Sequence, residues 1–235
     1  MMKRMLWLLL LLLPVMAFAE EACPLCGGAS DQCLTDEYGA VYCAGTLVSY
    51  PEDQTAKHYT VREGTRIIGE YAFSNHIYIE EVVLPEGIVM IDQGAFSYGG
   101  LKSINLPDSL LIIGDKAFYY CPELSGIVLP NKLYVIGMRA FTDNWKMTSI
   151  DIPAFVHVIG DGAFTWTGLR EVYLRTCEFQ YGDAIFDVSE QFNPMPPITV
   201  HMNEKAYSRG NAAQFMKDYE MYEHLTFVLD LPHED

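Results

Sequence analysis

The chain has 235 residues, half of them hydrophobic, and carries a formal net charge of −16 from 31 acidic and 15 basic side chains. Nucleic acid and anionic membranes select positive surface, so they are excluded as main partners; cationic partners and good solubility are compatible with this balance. The hydrophobic half excludes disorder over most of the length and suffices for a sizeable core.

At the N-terminus, Lys3 and Arg4 precede an apolar run from Met5 to Leu13, Pro14 breaks it, and Ala17-Phe18-Ala19 follows. A basic region, an apolar core and small residues where a signal peptidase cuts predict a cleaved secretory signal over residues 1–19. The apolar core is far short of the ~20 residues of a spanning helix. No second such segment follows, so the expectation is a secreted or cell-surface-associated chain with no stable membrane span after cleavage.

Residues 20–64 read as a cysteine-rich cap and opening unit, with Cys23, Cys26, Cys33 and Cys43 close together. In an exported chain an even cysteine cluster implies disulfides, here with three possible pairings. Two alternatives stand beside that staple. Cys23-Pro24-Leu25-Cys26 resembles half of a structural zinc site, although the second C-x-x-C is missing. A redox C-x-x-C would need a thioredoxin-like βαβ context that this chain lacks.

From 65 to 187 the chain repeats itself. Ala-Phe recurs at Ala72-Phe73, Ala95-Phe96, Ala117-Phe118, Ala140-Phe141 and Ala163-Phe164, with phenylalanine spacings of 23, 22, 23 and 23, and a weaker sixth copy at Phe186. Five residues before each of the first five phenylalanines stands Ile68, Ile91, Ile113, Ile136 or Ile159, followed by glycine in all units except the one with Asp92. The other half of the unit reads Val82-x-Leu84-Pro85, Ile104-x-Leu106-Pro107, Ile127-x-Leu129-Pro130, Ile150-x-Ile152-Pro153 and Val172-x-Leu174. Alternation of period two predicts a strand with one buried face, which the proline ends because it has no N–H to donate. One such unit cannot bury its apolar side alone. Stacked units can, with equivalent Ile, Phe and Leu falling into continuous rows and strands about 4.8 Å apart. Residues 188–235 read as a loop through Asn193–Pro197, a strand from Ile198, a helix starting at Asn211 with Gln214 three residues on, and a final strand Leu225–Leu229.

These I-G-x-x-A-F and L-x-x-I-x-L-P elements, with Cys121 in an A-F-x-x-C position, resemble the BspA-like, Treponema-type leucine-rich repeat of secreted and surface proteins. The resemblance covers about residues 37–230. It implies an α/β-type leucine-rich repeat solenoid, one short parallel strand per 22–23-residue coil, capped at both ends. Family members are mostly described as adhesion or host-interaction proteins, and the fold by itself fixes no activity.

Neither H-E-x-x-H, G-x-S-x-G nor a phosphate-cradling glycine loop occurs, and the histidines are scattered, so no catalytic residue is expected. Cys121 and Cys177 are expected as buried thiols. A regular array turns its outward positions into stripes. Two residues after each repeat phenylalanine the row is Asn75, Tyr98, Tyr120, Asp143, Trp166, and Tyr173 stands outward on a predicted strand. Aromatic side chains carry much interface energy and stack on sugars. Tyr98, Tyr120, Trp166 and Tyr173 are therefore the candidate binding stripe. The expected function is a binding protein for an extracellular protein or glycan, without catalysis or cofactor. The alternatives are a structural component of the cell surface and a thiol oxidoreductase or zinc-dependent module using the N-terminal cysteines.

Overall fold

The computed structural model describes residues 33–176, 178–187, 197–204, 211–219 and 223–231. The signal segment, Cys23, Cys26, Cys177 and most of the loop after Asn193 lie outside these residues. Within them the chain is a parallel solenoid of coils about 23 residues long.

Four of the five predicted V-x-L strands form, all but the one at Ile127–Leu129, and each coil also carries a second short strand at its I-G element. These second strands join three N-terminal strands in the longest sheet, of nine strands: β1 (Cys33–Thr35), β2 (Val41–Cys43), β3 (Thr46–Ser49), β5 (Ile67–Ile68), β7 (Met90–Ile91), β9 (Ile112–Ile113), β10 (Val135–Ile136), β12 (Val158–Ile159) and β14 (Gln180–Tyr181). It is antiparallel from β1 to β3 and parallel onward, pairing Ile68 with Ile91 and Ile136 with Ile159. In each of these two-residue parallel strands from β5 to β12 the second residue enters the main core. The first faces away from it, so Ile67, Met90, Ile112, Val135 and Val158 form a second apolar row against Val89, Leu111 and Tyr134. Two-residue strands are too short to show alternation, which is why sequence periodicity passes over them.

The V-x-L strands form two separate sheets: β4 (His58–Thr60), β6 (Glu81–Val83) and β8 (Ser103–Ile104), then β11 (Ser149–Ile152), β13 (Glu171–Leu174), β15 (Ile198–Asn203) and β16 (Leu225–Leu231). Between them the coil with Ser125-Gly126-Ile127-Val128-Leu129 is in neither ladder, although Ile127 and Leu129 still pack in the core. Gly126 has no side chain to pack on its neighbours, and a glycine within a strand weakens it. Val128 is left 82% exposed.

Between these strands runs the Ala-Phe turn. Phe73, Phe96, Phe118, Phe141, Phe164 and Phe186 stack with centroids 5.0, 5.3, 5.2, 5.4 and 5.7 Å apart and planes within 18°. All are buried, and the degenerate sixth unit joins the column. Alternate N–H groups of the turn donate to the next coil: Lys116 to Met138 O, Phe118 to Ala140 O and Tyr120 to Thr142 O, at 2.8–2.9 Å. N–H groups spent between coils cannot close helical i−4 bonds, so this part of the unit is not an α-helix. The geometry instead puts two residues per coil in the left-handed region, one two before the phenylalanine and one two after it. The I-G glycine has a different cause. A Cβ on Gly160 would lie 2.4 Å from the Met138 nitrogen of the preceding coil.

Both ends are covered. At the N-terminal end Cys33 and Cys43 form a disulfide across β1 and β2, and Asp36 Oδ1 accepts from Tyr38 N and Ala40 N in the turn between them. At the other end helix α1 (Ala212–Tyr219) buries Ala212, Phe215 and Tyr219. The helix begins where expected, yet Asn211 does not make a capping box. Its side chain bridges Phe179 N and Phe179 O on the last coil, and Gln214 donates to Asp218 instead.

Candidate functional site

The row two residues after each phenylalanine is left-handed throughout: Asn75, Tyr98, Tyr120, Asp143 and Trp166 have φ of 65°, 57°, 54°, 64° and 57°. Such φ is unusual for tyrosine and tryptophan; here the inter-coil turn ladder imposes it, and the side chains project from the turn. Tyr98, Tyr120 and Trp166 are 48%, 39% and 41% exposed.

Of the four candidate stripe residues the structure brings two together. The Tyr98 and Tyr120 rings lie 5.7 Å apart, and Tyr119 meets Tyr98 edge-on at 5.2 Å. Trp166 occupies the same row, but Asp143 stands between it and Tyr120, buried beside Tyr119. Burial raises the Asp143 carboxyl, against the opposing pull of Tyr119 and Arg139. Tyr173 lies elsewhere: it stacks on His201, 4.7 Å away, on the strand sheet.

Sequence reasoning missed four members of the exposed apolar edge. Trp145 meets Tyr120 edge-on at 5.6 Å, and Tyr71, Ile77 and Tyr78 are exposed in the first coil. These positions do not repeat from coil to coil, so periodicity gave no signal for them.

The strand side differs in kind, because its charged groups are already partnered across coils. Glu80 takes both Lys57 and Lys102, at 2.9 and 2.7 Å, and the two ammonium groups, Lys102 foremost, hold its carboxyl down at about 2. His58 meets Glu81, Lys146 meets Glu123, and Arg175 grips Asp151 through Nε and Nη2 at 2.7 and 2.8 Å. His201 sits between Glu171 and Asp230, both at 2.8 Å. A groove of about 540 Å³ on this side is lined by Ile127, Val128, Asp151, Tyr173 and Arg175.

Beneath the aromatic edge runs a buried polar row, three residues after the phenylalanine. Three of its side chains satisfy carbonyls of the coil before. His76 Nε2 donates to Tyr50 O at 3.0 Å, Cys121 Sγ to Phe96 O at 3.1 Å and Asn144 Nδ2 to Phe118 O at 3.0 Å. The A-F-x-x-C cysteine is thus a structural donor. Burial pushes the Cys121 thiol up to about 12, so it holds its proton and is unreactive at neutral pH.

Cys33 and Cys43 are joined to each other, which removes two thiolates from any four-cysteine zinc set. Among the described residues no group of three or more His, Cys, Asp or Glu side chains has the geometry of a metal site. Among those residues, too, no helix is long and apolar enough to cross a membrane.

The sequence model of the family described as the BspA type leucine rich repeat region matches six copies over residues 56–192. No curated protein is matched. Among solved structures, the pneumococcal vaccine antigen PcpA is similar with a TM-score of 0.61 at 19% identity, over 86% of this chain and 49% of that one. The chain thus spans about half the length of that antigen. A leucine-rich repeat protein of T. pallidum is similar with a TM-score of 0.54 at 21% identity, over 85% of this chain and 96% of that one. At these identities the likeness is one of fold.

Proposed function

Because the chain belongs to the BspA-type leucine-rich repeat family, we propose that it is a secreted or surface-associated binding protein without catalysis. It holds an extracellular protein or glycan along the aromatic edge of its turns, with residues 1–19 as the removed signal and the N-terminal cysteines as a staple. One observation carries the reading. The strand side spends its charges on neighbouring coils, whereas the turn edge leaves Tyr98, Tyr120, Trp145 and Trp166 about half exposed. Tyr98, Tyr120 and Trp145 are joined by ring contacts, with Trp166 further along the same row; an exposed apolar patch marks an interaction surface, and tyrosine and tryptophan are the residues that dominate such surfaces energetically.

The test is a screen of the secreted chain against extracellular proteins and glycans, repeated with Tyr120→Asn, Trp145→Ala and Trp166→Asn combined. Asparagine is chosen at 120 and 166 because it tolerates the left-handed backbone there. A folded triple variant is expected to lose its partner. One that keeps every partner refutes the aromatic-edge reading.

A further inference from the structure

At the start of the aromatic edge lies a groove of about 640 Å³ whose lining includes Glu52, Tyr71, Ser74, Asn75, His76 and Tyr98. Among the described residues no lysine or arginine lines it. Tyr71 is held over the next coil, where its ring occupies the place a Cβ on Gly94 would take and its hydroxyl accepts from Gln93 at 2.7 Å. Tyr98 is held by its ring contacts with Tyr119 and Tyr120. The groove therefore has two positioned aromatic rings, one from each of two successive coils.

His76 is its unusual member. The residue is only 5% exposed, and a backbone carbonyl accepts its Nε2–H, so Nε2 carries the proton and Nδ1 is left as an acceptor. Burial lowers the imidazole below its usual range, against the Tyr50 carbonyl and the Glu52 carboxylate, so it is neutral at physiological pH. Nδ1 has no protein partner among the described residues and is not sealed from solvent. At the equivalent position two coils short of the end of the array, Asn144 uses both of its polar atoms, Nδ2 on Phe118 O and Oδ1 on Cys121 N. His76 uses one nitrogen on the fold and holds the other in reserve. Asn75 Oδ1 and the Glu52 carboxylate add two acceptors without a protein donor among the described residues.

We propose that this groove is a carbohydrate site: a pyranose ring lays its C–H face on Tyr98 or Tyr71 and donates hydroxyl hydrogen bonds to His76 Nδ1, Glu52 and Asn75 Oδ1. Sugars combine an apolar face with several donors around the ring, and this lining offers aromatic faces with several acceptors. A lone ammonium group is a poorer match, because it fills little of the volume and leaves the neutral acceptors idle. The inference rests on the binding role proposed above and names the ligand class for one part of that edge.

The experiment is saturation-transfer NMR on the intact secreted chain. The probes are methyl glycosides and short oligosaccharides of glucose, galactose, mannose and N-acetylglucosamine, with choline and lysine methyl ester run alongside. Transfer to ring protons of at least one saccharide is expected. Its affinity is expected to fall at least tenfold in Glu52→Gln and in Tyr98→Asn, and to be unchanged in Val128→Ser on the strand side. Absence of transfer from every saccharide, or transfer that survives both groove variants, overturns the proposal, as does saturation confined to the ammonium probes. A protein partner that depends on Tyr120, Trp145 and Trp166 while no sugar binds sinks this inference and leaves the broader role standing. Sugar binding through Glu52 and Tyr98 with an inert Tyr120–Trp166 band does the reverse.

Discussion

Asn144→Ala is the sharpest test of how the coils are joined. Asn144 is fully buried; its Oδ1 accepts the Cys121 N–H at 2.8 Å and its Nδ2 donates to Phe118 O at 3.0 Å. Among the described residues no other bond reaches that N–H or that carbonyl. Truncation strands one donor and one acceptor in the core, and each costs ~1–3 kcal/mol when left unmade. The expected loss is about 2–6 kcal/mol, toward the lower end where water enters the vacated space. A domain of this kind is stable by only ~5–15 kcal/mol, so the effect is large. Equilibrium urea denaturation followed by circular dichroism measures it, with the exposed Thr148→Ala as a control expected within ~0.5 kcal/mol. Native-state hydrogen exchange should show the Cys121 amide losing protection first. A loss below ~1 kcal/mol with that amide still protected would mean that the side-chain bridge does not join the coils as described.

A methyl group at Gly160 meets the Met138 nitrogen at 2.4 Å, so Gly160→Ala should cost ~1–3 kcal/mol by overpacking, and an unchanged urea midpoint would refute the backbone-contact account of the I-G motif. For His201, burial lowers the imidazole, but the Glu171 and Asp230 carboxylates outweigh it and raise its pKa above 6.5. A raised pKa stabilises the fold fully below the unfolded value and loses that contribution as pH rises through the folded one. The stability difference between the native chain and His201→Gln should therefore be largest near pH 6 and shrink toward pH 9; growth with pH would contradict the assignment. Cys121, with its thiol near 12 and no exposed sulfur, should resist iodoacetamide in the folded chain and react on unfolding, as mass spectrometry would report. Rapid labelling of native protein would count against it.

The repeat by itself determined the scaffold. Residues that recur every 22 or 23 positions are those that must superpose, and Phe73 through Phe186, Ile68 through Ile159 and Val82 through Val172 are all buried. Stacking needs the same shape at the same place in each coil, so the core is written as periodicity. The caps were legible for a similar reason, since turn and helix signals are local: the strand from Ile198 and the helix after Asn211 lie where they were expected.

The surface was decided elsewhere. Trp145 adjoins Tyr120, Tyr173 lies on His201 rather than in line with Tyr98, and His201 joins Glu171 and Asp230. His201 lies 30 residues after Glu171 and 29 before Asp230. The pairing of Cys33 with Cys43 was one of several that spacing allowed, and the antiparallel β1–β2 register selects it. Two-residue strands and left-handed tyrosines follow from hydrogen bonds made to a different coil, and the neutral His76 follows from its burial between coils. A neighbour in the next coil is about one repeat away in sequence but only ~4.8 Å away in space. Which outward side chains meet across that gap is set by the register between coils and the turn backbone, and a single chain read end to end records neither.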